Sequence, residues 1–200
     1  IIILSGSKWT ETSKNKIEKF SRTNSIPIAV TFRKGDLFDN KHKNYVGSLG
    51  VGPDPNLVSY VKSSDAILLI GGEFGEIETS KFSYLTKSSN KQKIFHVTED
   101  QKLLLKSNYK IINSDLVTFC DSLKNIKVSE NKPLKSATKF LRQSYESYRE
   151  PKKFKNKFNP GVAVKDISHN LPASTIITAG AGNYSHFVLR HHLFLSLIHI

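Results

Sequence analysis

Two hundred residues suffice for one α/β domain or one and a half, and 38% hydrophobic content can support a core. A single cysteine, Cys120, excludes a disulfide framework and a cysteine-based zinc site. The net charge of +13 invites a nucleic-acid reading, but lysine outnumbers arginine 25 to 5, whereas phosphate and base readers favour the planar arginine fork.

The charge is also local. Residues 124–165 hold twelve Lys/Arg against Glu130, Glu146 and Glu150, which is nine of the thirteen excess positive charges. Such a block reads as a solvated linker rather than a nucleic-acid face. No apolar stretch reaches about 18 residues, so no transmembrane helix is expected. The buried-type cysteine suits a reducing compartment, with a cytoplasmic location. There is no initiator methionine, and the chain opens and closes inside apolar runs, so it reads as a fragment.

In chain order, Ile1 to Leu4 predicts a strand ending at Ser5-Gly6-Ser7. A helix follows with Ile17 and Phe20 on one side and Thr10 or Thr12 as its cap. Pro27 to Phe32 predicts a second strand, with Pro27 at its first position. Arg33 to Gly52 reads as a long ordered loop holding Tyr45, Val46 and glycines at 47, 50 and 52. Asp54 and Pro55 mark a helix start, with Leu57, Tyr60 and Val61 on its apolar face.

Ala66 to Ile70 is apolar on every side, as a central parallel strand must be. It ends at Gly71-Gly72, followed by Phe74-Gly75. Lys93 to Val97 and Tyr109 to Asn113 predict further strands, separated by helices of about ten residues. Asp115 caps a helix through Phe119 and Leu123. Residues 1–125 therefore predict an α/β domain with a doubly wound, mostly parallel, Rossmann-like sheet, whose glycine loops gather at the carboxyl edge.

Residues 126–160 read as a basic linker with one amphipathic helix, on which Leu134, Ala137, Leu141, Tyr145 and Tyr148 share a face. Residues 161–200 read as the start of a second α/β domain: a helix from Val162 to Asn170, a strand Thr175-Ile176-Ile177-Thr178, then Gly180-Ala181-Gly182-Asn183-Tyr184 ahead of a helix from Phe187 to His191. Strand, glycine turn and helix present backbone N–H groups to a phosphate, so Gly180, Gly182, Asn183 and Tyr184 are expected at a diphosphate edge.

Gly47, Gly50, Gly71 and Gly72 form a candidate nucleotide crevice, although no GxGxxG follows any strand and tight turns with close helix–sheet packing explain the same glycines. No histidine sits at metal-ligand spacing. His42 reads as a solvated loop residue and His96 as a hydrogen-bonded strand residue. Glu73, Glu76 and Glu78 could hold a metal or act as an acid, but read more simply as a charged loop. No catalytic or metal-ligating residue is assigned.

Several segments together carry a family resemblance: Ile26 to Arg33; Asn44-Tyr45-Val46-Gly47 with Gly50 and Gly52; Ser64 to Gly71; Ile94 to Val97; and Asn170 to Tyr184. In order and spacing the chain resembles a thiamine-diphosphate enzyme of the acetolactate synthase large-subunit type. The resemblance implies a central domain, a linker and the entry of a cofactor domain. It implies thiamine diphosphate and Mg²⁺, a 2-keto acid substrate such as pyruvate, a homo-oligomer (dimer or tetramer), and no nucleic-acid or membrane partner. It also implies an activating glutamate and a magnesium motif outside these residues, so that the chain alone is expected to be inactive. Some relatives hold FAD in the central domain through an arginine after the central strand. Here that position is Glu73, and an acid beside a pyrophosphate argues against FAD. The competing readings are a non-catalytic nucleotide-binding α/β module and, third, a basic RNA-binding protein.

Overall fold

A computed structural model describes residues 1–85, 92–100, 109–129, 131–152, 154–155, 157–172, 174–180 and 182–194. Six strands form one parallel sheet: β1 (Ile2–Leu4), β2 (Ile28–Val30), β3 (Tyr45–Ser48), β4 (Ala66–Ile70), β5 (Lys93–Thr98) and β6 (Lys110–Asn113). Their order is β3-β2-β1-β4-β5-β6, and every neighbouring pair is parallel. The α/β, doubly wound expectation holds.

Side chains on successive strand residues point to opposite faces. Ile2, Leu4, Ile28 and Val30 therefore meet Ile17 of α1 (Glu11–Asn24) and Leu116 and Cys120 of α3 (Leu116–Ser122) on one face. Ile3, Ala29, Ile67 and Leu69 meet Leu57 and Val61 of α2 (Pro55–Ser63) and Leu141 of α4 (Lys132–Arg149) on the other. The local signals for the helix starts are realised. Thr10 caps α1 in a capping box with Ser13, Asp54 accepts from Asn56 N ahead of Pro55, and Asp115 accepts from Thr118 N.

Three expectations are corrected, and a fourth falls mostly outside the described residues. The loop from Arg33 to Gly52 contains a strand, β3, which pairs with β2 through a register shift. The helix expected directly after β4 is absent from its described part: residues 76–84 form successive turns. The stretch before β6 that should hold another helix lies mostly outside the described residues. Thr175 to Thr178 is not a strand; Ile176 is largely exposed and no described strand pairs with the segment. An extended run without a hydrogen-bonded neighbour is no more than a loop. Leu68 is only half-buried, whereas its neighbours Leu69 and Ile70 are fully buried.

The helix in the basic segment is part of the folded unit. α4 buries Leu141 and Tyr145 against β3 and α2. Thr138 Oγ1 donates to Ser25 O at 2.7 Å, and Arg142 Nη1 donates to the carbonyls of Asn40, His42 and Tyr45 at 2.8, 2.9 and 3.3 Å. The lysines lie on its outer face. Beyond it, α5 (Pro160–Asn170) packs on α6 (Ser185–His191), and α6 returns to the end of α4. Among the described residues no helix is long and apolar enough to cross a membrane.

Candidate functional site

The strand order reverses between β1 and β4, and at such a switch point the loops leaving the carboxyl ends normally separate to form a crevice. Here the two loops close on each other. A Cβ built on Gly72 would stand 2.8 Å from both Cα and N of Gly6, and one built on Gly71 would run into the Ser5 carbonyl oxygen. Gly71 also has φ +99°, a conformation that L side chains rarely adopt. Gly72 has no positive φ, so its requirement is close approach and not the left-handed turn that a strand-end glycine suggests.

Buried polar groups lock this crossing. Trp9 Nε1 donates to Ser5 O at 2.7 Å, Ser5 Oγ to Glu73 O at 3.0 Å, and Thr31 Oγ1 to Ser5 Oγ at 3.0 Å. His96 Nε2 lies 3.1 Å from the carbonyls of both Gly71 and Gly72. Two acceptors require that nitrogen to carry the proton, which leaves Nδ1 bare, buried and unpartnered. Burial lowers the His96 pKa, against the opposing pull of those carbonyls. His96 is structural, as its strand position suggests.

His42 is not a solvated loop histidine. Its Nδ1 accepts from Asn44 N at 3.2 Å, its Nε2 is buried, its ring meets Phe38 edge-on, and burial lowers its pKa. Glu73 and Glu76 are exposed, Glu78 is half-buried, and no metal-holding group of His, Cys, Asp or Glu occurs among the described residues. Cys120 is buried, and burial pushes its thiol up to about 11, which suits a core residue and not a nucleophile.

The four glycines expected to share one crevice divide between two places. Gly71 and Gly72 end β4, while Gly47 lies within β3 and Gly50 just beyond it. Two strands intervene, a separation of roughly 14 Å at the usual spacing. Gly47 packs on the Tyr145 ring and Gly50 on Phe32, so each is required by a neighbouring aromatic. Beside them, at the carboxyl ends of β2 and β3, a cavity of about 160 Å³ is lined by Arg33, Gly47, Tyr148, Arg149 and Arg190 among others. No local motif marks these arginines, which lie in a basic linker-like stretch, a loop and a short helix far apart along the chain.

At the expected diphosphate edge, Gly180 to Tyr184 forms an exposed turn into α6; Ala181 lies outside the described residues. The Tyr184 ring folds back over Gly180 and Gly182 and occupies the space a side chain would need at either. Ser185 N and His186 N are engaged with Gly182 O and Asn183 O, while the N–H groups of Gly182, Asn183 and Tyr184 make no hydrogen bond among the described residues. A hollow of about 340 Å³ brings Gly180 and Ser185 together with Arg33. Asp36 shares that hollow with Arg33, while Gly182, Asn183 and Tyr184 do not line it, and a metal ligand set is not among the described residues.

No curated protein matches the chain. Residues 1–119 match the model of the thiamine pyrophosphate enzyme central domain, a parallel α/β unit of the kind described above. The chain therefore belongs to the thiamine pyrophosphate enzyme family, and the matched stretch is its central domain.

Proposed function

We propose that this chain serves a thiamine-diphosphate-dependent 2-keto acid decarboxylase or carboligase of the acetolactate synthase type, working on pyruvate or a close relative in a cytoplasmic homo-oligomer with Mg²⁺. The observation that carries the reading is the central-domain match over residues 1–119, followed in the same chain by the Gly180–Tyr184 turn. When bound, thiamine diphosphate supplies the electron sink for decarboxylation. The chain's own contribution is placement. The N–H groups of Gly182, Asn183 and Tyr184 would accept one edge of the diphosphate, Arg33 adds positive charge in the adjoining hollow, and Tyr184 shields the turn. The switch point brings the loops after β1 and β4 into backbone contact, with Glu73 at its edge.

Two measurements test the proposal. Calorimetric titration of thiamine diphosphate with Mg²⁺ into the product of the reading frame that carries these residues should show saturable binding that is weakened at least tenfold by Gly182→Val. No binding heat, or an unchanged variant, overturns the diphosphate edge. The reading frame that carries these residues should release carbon dioxide from pyruvate and form 2-acetolactate. Binding of ADP without any keto-acid turnover would instead support a non-catalytic nucleotide module.

A further inference from the structure

We propose that the cavity between the β2–β3 edge, α4 and α6 is a phosphate-binding site built on Arg33, Arg149 and Arg190. These three arginines come from a loop, the last residue of α4 and the penultimate residue of α6, and all line the same space of about 160 Å³. None makes an ion pair among the described residues. The acid in the lining is Asp54, whose oxygens already accept from Asn56 N at 2.9 Å and from Ser144 Oγ at 2.5 Å. Against three guanidiniums the lining sets one carboxylate, so the excess charge of the cavity is positive.

Each guanidinium is held in place yet keeps donors open. Arg190 sits over the Tyr148 ring, its Cζ 3.7 Å from the ring centre, with Nε and Nη2 both donating to Tyr148 O. Its Nη1 makes no bond among the described residues. Arg149 Nη2 donates to His191 O at 3.1 Å, while its Nε is buried with no acceptor. Buried donors of this kind are few in native structures. The Arg33 guanidinium rests over the Phe32 ring at 5.2 Å and makes no ion pair among the described residues. The field is felt nearby: burial first, then Arg190 and Arg149, lower the pKa of His191.

The shape selects the ligand. The space is smaller than the ~300–1,000 Å³ of a drug-sized site, so it takes an anionic group and not a whole cofactor. Guanidiniums arriving from three elements need acceptors in several directions, which a tetrahedral phosphate offers and a planar carboxylate does not. The site lies on the far side of β1 from the β1–β4 switch point, and Gly180, Gly182 and Tyr184 are not in its lining. It shares Arg33 with the hollow beside the proposed thiamine diphosphate edge, whereas Arg149 and Arg190 belong to it alone.

The test titrates inorganic phosphate into the full chain by calorimetry, with thermal scans in phosphate, chloride and acetate at matched ionic strength. Saturable phosphate binding and a midpoint raised by phosphate alone are expected. Arg149→Gln and Arg33→Gln should each weaken binding tenfold or more, and Lys135→Gln on the outer face of α4 should not. Should Arg149→Gln fail to fold, Arg190→Gln carries the test, because Arg190 does not line the hollow beside Gly180. Gly182→Val should leave phosphate affinity intact while weakening thiamine diphosphate, which separates the two readings. Absence of saturable binding, equal stabilisation by chloride or acetate, wild-type affinity in Arg33→Gln, or loss of phosphate binding in Gly182→Val each overturns the proposal.

Discussion

Gly6 and Gly72 meet backbone to backbone where the chain reverses its direction across the sheet, with a Cβ on Gly72 only 2.8 Å from the Gly6 α-carbon. Neither side of that contact is a flexible side chain, so nothing can yield cheaply. Gly72→Val and Gly71→Ala should each cost about 1–3 kcal/mol through overpacking, with the second adding strain at φ +99°. At Gly75 the nearest obstacle is the Glu78 carboxylate at 3.3 Å, the movable end of a side chain, so Gly75→Ala should stay within about 0.5 kcal/mol. Urea denaturation of the three variants checks the order; equal losses at 72 and 75 would remove the close-approach argument.

The central position of β4 makes a separable claim. Leu69 is fully buried between β1 and β5 neighbours, while Leu68 is half-buried. Leu69→Ala should cost about 2–5 kcal/mol by leaving a cavity, and Leu68→Ala clearly less. A thermal midpoint unmoved by Leu69→Ala would contradict the strand order.

Acid should destabilise the fold in a defined window. His42, His96, His191 and His192 all have lowered pKa values, burial being the first cause of each. A base whose folded pKa lies below its unfolded value contributes stability that is complete above the unfolded value of about 6.5 and is lost as pH falls through the folded one. Unfolding free energy should begin to decline below about pH 8, where the buried Ile1 amino group, lowered from 8.0 to about 6, starts to titrate in the unfolded chain, and should decline more steeply below about 6.5. His96→Gln, which keeps a donor for the Gly71 and Gly72 carbonyls and removes the titrating ring, should make that decline shallower. An identical slope in the variant would show that His96 titrates without penalty.

Helix α4 should behave as part of the first domain. Its Leu141 and Tyr145 cover β3 and α2, and Arg142 holds three carbonyls of the segment before β3. Residues 1–150 should unfold in one transition, and truncation at 129 should lower the midpoint because Leu57, Val61 and Tyr45 lose their cover. Arg142→Ala should cost about 1.5–3 kcal/mol, as expected for loss of hydrogen bonds from a charged donor. Limited trypsin digestion should cut first at Lys152, Lys155 or Lys157. A first cut inside α4 would show that the helix is not docked.

What the sequence determined by itself is what short-range physics encodes. The apolar runs at 2–4, 28–30 and 66–70 specify buried parallel strands because both faces must be covered. Thr10, Asp54 and Asp115 specify helix starts because each side chain satisfies an N–H in its own first turn. The tertiary structure decided what depends on a distant partner. Tyr45–Ser48 becomes a strand because β2 lies beside it, although Gly47 weakens any local signal, and Thr175–Thr178 does not become one because no described strand offers it a ladder. The same dependence hid the arginine cavity. Arg33, Arg149 and Arg190 are far apart in sequence, and only the return of α6 to the end of α4 brings their guanidiniums to one space, since the attraction of an anion for several charges is a property of their meeting and not of any one segment.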